Sequence, residues 1–169
     1  MPRSFCPVLA LLLAFTGPAL PAPPPTAQRM LTAVAPGRAA ATDLLRRLVE
    51  QNSVTFNPAG VEAVARLLTP EFEALGFRVQ WKPMPHTGRA GHLIATHAGN
   101  GRGKRVLLIG HLDTVFEPDH PFRGFRIEGE RAIGPGVGDD KGGIAVMLLA
   151  LRAMQAAGTL RDADIEVVL

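Results

Sequence analysis

Two short segments hold the residues able to do chemistry. In Leu107-Leu108-Ile109-Gly110-His111-Leu112-Asp113-Thr114 an apolar run ends on a histidine, with a carboxylate two residues on. In Gly134-Pro135-Gly136-Val137-Gly138-Asp139-Asp140-Lys141-Gly142-Gly143 a glycine-rich stretch delivers two adjacent aspartates to the start of an apolar helix. Histidine and carboxylate side chains at strand and loop ends are the donors from which hydrolytic metal sites are built. The sole cysteine is Cys6, so neither a disulfide framework nor a cysteine-type zinc site can form. A metal would be held by His, Asp and Glu.

With an extended backbone, His111 and Asp113 point to the same side. A carboxylate beside a ligating histidine fixes its tautomer and raises its basicity. Alone, His-x-Asp is a common pair, more often at a surface or core edge than at a metal. The second segment is more specific. Aspartate before a helix is ordinarily an N-cap. Capping does not call for two aspartates, nor for glycine at 134, 136 and 138. Gly142 and Gly143, in the first turn of the helix, each cost about 1 kcal/mol relative to alanine. They point to close backbone approach or to tight helix–sheet packing.

Taken together, Gly110-His111-Leu112-Asp113-Thr114-Val115 and Gly134 to Gly143 resemble the M20 family of zinc peptidases and deacylases, and most of all its glutamate-carboxypeptidase branch. The resemblance covers roughly residues 42–169. It implies that His111 ligates one zinc, that Asp139 bridges two zincs across a cis Asp139–Asp140 peptide, and that Asp113 is the acidic active-site residue that orients His111. It implies hydrolysis of an amide bond in a small peptide or N-acyl amino acid. In the family the general base and a further ligand form a Glu-Glu pair beyond the final strand. Another acidic ligand, a small dimerisation domain and a last histidine come later. The expectation is therefore the N-terminal part of an M20-type catalytic domain, inactive alone, with homodimerisation left to the complete form. The alternative is a non-catalytic truncated remnant or a metal-binding module. His86, His92, His97 and His120 lack motif context and read as ordinary surface histidines.

The elements that must position these residues follow from periodicity. Thr42 or Asp43 caps a first helix to about Gln51, with Leu44, Leu45, Leu48 and Val49 as its stripe. Asn57 and Pro58 read as N-cap and N1 of a second helix, which Pro70 should kink or split. Strands are expected at 77–81 and 92–96, and a buried central strand at 105–110. A hairpin turns near Gly129. A long apolar helix runs from about Lys141 to Ala157, with Gly158 just past its end. The segment 164–169 opens a final strand, whose outer edge is expected to be unpaired and apolar. The class is α/β, a mixed and largely parallel sheet flanked by helices, as a truncated zinc-peptidase-like catalytic domain.

Residues 1–22 read as a secretory signal peptide: Arg3, then the apolar Val8 to Phe15, then a small-residue cleavage site near Ala22. The apolar run is far below the ~20 residues of a membrane span, so the mature chain is expected in the periplasm or secreted, off the membrane. Residues 23–39, rich in Pro and Ala, read as a stiff, poorly packed linker. The folded part is expected to begin near Ala40. The formal net charge is +3, with the arginines scattered rather than clustered. No basic stripe or reading motif argues for nucleic acid.

Overall fold

A computed structural model describes residues 23–169. The signal-peptide reading of residues 1–22 lies outside them. The elements run α1 (Pro25–Glu50), α2 (Pro58–Glu73), β1 (Arg78–Pro83), β2 (Gly91–His97), β3 (Val106–Ile109), β4 (Arg126–Glu128), β5 (Arg131–Ile133), α3 (Gly142–Ala156) and β6 (Ile165–Val168).

The first helix corrects the sequence reading. It starts at Pro25 and passes through the stretch expected to be a linker, so neither Thr42 nor Asp43 caps it. Proline is tolerated at a helix start, and the alanines that follow favour a helix, so composition alone misleads here. Pro36 sits inside the helix without breaking it. Gly37 allows close contact with α3, since a Cβ there would lie 2.6 Å from Leu149 Cδ1. The second helix begins as expected, with the Asn57 side chain accepting a hydrogen bond from Gly60 N at 3.1 Å. It is not split at Pro70, which stands in its last turn.

Four strands form one sheet in the order β1-β2-β6-β3, and β4 and β5 pair as a separate hairpin around Gly129 (φ 60°). The β1–β2 and β2–β6 pairs are antiparallel and only β3–β6 is parallel. The sheet is mixed, as expected, with less parallel pairing than expected. Alternation decides which face is covered. Val79, Trp81, Leu93, Ala95, Leu108, Ile165 and Val167 share one face and join a single core with Leu44, Leu48, Leu68, Phe72, Ile144 and Leu148 of the three helices. Gln80, Thr96 and Glu166 stand on the opposite face, with Thr96 directly across from Glu166.

Two expectations about edges change places. The last strand, β6, is not an open edge, because it inserts between β2 and β3. Conversely, β3 is not a buried central strand. It pairs on one side only among the described residues, and Val106, Leu107 and Ile109 are 45%, 54% and 71% exposed. No helix among the described residues is long and apolar enough to cross a membrane.

Candidate metal centre

The parallel pairing of β3 with β6 ends as Gly110 N donates to Val168 O at 3.1 Å, and the next residue is His111. The chain then folds back on itself. His111 Nδ1 lies 3.1 Å from the Asp113 backbone oxygen and 3.2 Å from Asp113 Oδ1. From the other loop Asp139 comes up to the far side of the ring, with Oδ1 2.9 Å from His111 Nε2. The structure thus brings together all three residues singled out from the sequence. Asp139 projects freely, its side chain 86% exposed, while those of His111 and Asp113 are 44% and 34% exposed.

Burial pushes the His111 imidazole down, but the Asp139 and Asp113 carboxylates outweigh it and hold its pKa above the ordinary 6.5. Both ring nitrogens face carboxylate oxygens, an arrangement that favours imidazolium. A cleft of about 500 Å³ opens beside the three residues, walled on its apolar side by Phe116, Phe122 and Ile133.

The second loop is built for Asp139 rather than for capping. The residue before α3 is Lys141, and no side chain caps that helix. The turn Val137–Lys141 leads into α3, with Asp139 extended (φ -158°, ψ 91°) and the Asp139–Asp140 peptide cis. The paired glycines answer to the loop itself. A Cβ on Gly142 would collide with the Val137 carbonyl oxygen, and one on Gly143 with the Asp140 carboxylate. A Cβ on Gly110 would lie 2.5 Å from Asp140 Oδ2. Asp140 is therefore wedged between the two loops, while its neighbour Asp139 reaches His111.

Several site residues were not legible in the sequence. The segment just after α1 runs alongside the first loop. Thr114 N donates to Ser53 O at 2.8 Å, Thr55 N to Thr114 O at 3.0 Å, and Ser53 Oγ to Leu112 O at 2.9 Å. Thr55 Oγ1 donates to Asp113 Oδ2 at 2.6 Å. The second loop is tied to the same place. Lys141, 1% exposed, donates from Nζ to Leu48 O at 2.7 Å and Gln51 O at 2.9 Å. Burial lowers its pKa to about 8. A lysine between aspartates and an apolar helix was a visible signal, whereas nothing about Thr55 set it apart. Of the other histidines, His97 bonds Ala163 O through Nδ1 at 2.9 Å and His120 accepts from Phe122 N at 3.0 Å. Neither joins His111.

An imidazole nitrogen and a carboxylate oxygen aimed at one another, with a second carboxylate on the far ring nitrogen, suit zinc in kind. In number they are a partial set: no three His, Cys, Asp or Glu side chains among the described residues are placed to hold one metal ion.

Residues 107–169 match the model of peptidase family M20/M25/M40. Carboxypeptidase G2 of Pseudomonas sp. strain RS-16 is 35% identical over 119 residues, which are 70% of this chain and 28% of that protein. Acetylornithine deacetylase of Proteus mirabilis is 36% identical over 119 residues, 65% of this chain and 30% of that protein. Among solved structures, aminopeptidase PepT of Bacillus cereus aligns with a TM-score of 0.62 at 26% identity, covering 76% of this chain and 35% of that one. The di-peptidase Dug1p of Saccharomyces cerevisiae aligns with a TM-score of 0.71 at 15% identity, covering 83% and 33%, and shares the fold. This chain spans under a third of the length of the curated relatives it matches. Its two motifs, its fold and these relatives place it in peptidase family M20.

Proposed function

We propose that this chain supplies part of the active site of a zinc-dependent M20 hydrolase acting on the amide bond of a small peptide or N-acyl amino acid. The observation that carries this reading is the line Asp113–His111–Asp139, held by two separate loops around one imidazole. The relatives' names support the reaction class: one is a carboxypeptidase and another a deacetylase. His111 Nε2 and Asp139 would hold metal. Asp113 would keep the His111 proton on Nδ1. Bound zinc would polarise the scissile carbonyl and lower the pKa of water. The cleft beside His111 would seat the substrate with Phe116 and Phe122 excluding solvent.

Asp113 is taken up by His111 and Thr55, which suits it to positioning His111 and not to serving as the general base. The reading of residues 1–22 as a signal peptide places the mature protein in the periplasm or outside the cell. Cleavage near Ala22 would leave a mature protein that starts near Pro23, just ahead of α1.

The test is a chimera in which residues 25–169 replace the matching segment of carboxypeptidase G2. Amide hydrolysis that disappears on chelation, and on His111→Ala or Asp139→Ala, supports the assignment. Hydrolysis that survives chelation contradicts it. A second reading, a non-catalytic remnant, is favoured by the partial donor set. A chimera that binds zinc through His111 but turns nothing over would establish that reading.

A further inference from the structure

We infer that Thr55 is a positioning residue for the metal centre, acting on His111 through Asp113; this rests on the zinc reading above. The carboxylate of Asp113 can only accept hydrogen bonds while ionised, so the 2.6 Å contact has the Thr55 hydroxyl as donor. The same hydroxyl lies 3.3 Å from Thr114 O, and the shorter bond to a charged acceptor takes the proton. With Oδ2 occupied, Oδ1 is the oxygen turned to His111 Nδ1. The chain of contacts then runs Thr55 Oγ1, Asp113, His111, Asp139, and each link fixes the next.

Thr55 is itself fixed by backbone. The 53–55 segment pairs in parallel with Thr114 through a bridge at Val54, closed by the bonds from Thr114 N to Ser53 O and from Thr55 N to Thr114 O. Asn52 Nδ2 adds a bond to Phe116 O at 3.0 Å. The hydroxyl is therefore held by the same peptide that carries Asp113. A rotation of the Asp113 carboxylate would break the Thr55 bond and the His111 bond together. Asp113 is 34% exposed, so water can replace a lost hydroxyl in part, and the effect is graded rather than absolute.

The experiment is calorimetric titration of the full 169-residue chain with zinc ion alone. Thr55→Val keeps the branched shape and deletes the donor, and Thr55→Ser keeps the donor. Zinc Kd is expected to rise about threefold to tenfold in Thr55→Val, less than for direct partners of a ligand, and to return to the parent value in Thr55→Ser. In an Asp113→Asn background, Thr55→Val should change Kd no further. A merely structural role would lower the melting temperature without this coupling. An unchanged Kd in Thr55→Val overturns the inference, as does an equal loss in both backgrounds. If the parent takes up no zinc that His111→Ala abolishes, the metal reading fails instead. The 15N shifts of the neutral His111 ring in the metal-free chain then decide the Thr55 inference alone. The Nδ1–H population should fall in Thr55→Val and hold in Thr55→Ser, and an unchanged population overturns it.

Discussion

Lys141 Nζ stands 2.7 Å from the carbonyl oxygen of Leu48, 93 residues earlier in the chain. That bond, with its partner to Gln51 O, anchors the loop of Asp139 to the end of α1. Lys141→Met would leave two carbonyls without their donor. A net loss of about 1–3 kcal/mol is expected, measured by denaturant unfolding at neutral pH. Burial lowers the folded pKa from 10.5 to about 8, so between those values the unfolded chain binds more protons. The Lys141 contribution to stability therefore rises with pH across that window, by on the order of 3 kcal/mol. The rise should be absent from Lys141→Met.

Gly143→Ala places a methyl against the Asp140 carboxylate, and Gly110→Ala does so from the other loop. Ordinarily alanine stabilises a helix over glycine by about 1 kcal/mol. Here the collision wins, and each variant is expected to lose about 1–3 kcal/mol. Thermal unfolding checks this, and an unchanged or raised melting temperature for Gly143→Ala would contradict the wedge of Asp140 between the loops.

The raised pKa of His111 sets the sign of its pH dependence. The imidazolium stabilises the metal-free fold fully below the ordinary 6.5, and that contribution is lost as pH rises through the raised folded value. Zinc requires the unprotonated Nε2. Zinc affinity should accordingly climb with pH through the same window, and a titration series from pH 5.5 to about 8.5 reads it. His111→Ala should flatten the series.

The exposed strand β3 gives a prediction about association. Leu107 is 54% exposed on a strand that pairs on one side only among the described residues. Unpaired apolar edges template contacts between chains. Leu107→Lys should reduce self-association at high concentration, read by light scattering, while shifting stability within about 0.5 kcal/mol.

Chemistry was easier to read from this sequence than architecture. His111, Asp113 and Asp139 meet because the two motifs together are specific, and the structure sets Asp113 Oδ1 3.2 Å and Asp139 Oδ1 2.9 Å from the two ring nitrogens of His111. The helix starting at Asn57–Pro58 and the turn at Gly129 were also legible, since their signals are local. The reading of residues 23–39 as a linker failed because proline at a helix start and proline in a linker look alike. The placing of β3 at the sheet centre failed because an apolar run reports affinity for cover and not which strands provide it. Thr55 was invisible for a related reason: its role depends on a loop 58 residues away.

The central claim is that His111 and Asp139 are metal ligands. Its most direct test is zinc calorimetry on the 169-residue chain and on His111→Ala and Asp139→Ala. The account predicts weak binding by the parent, because two donors cannot fill a tetrahedral site, and loss of that binding in either variant. Tight binding, submicromolar or better, that survives both substitutions would contradict it.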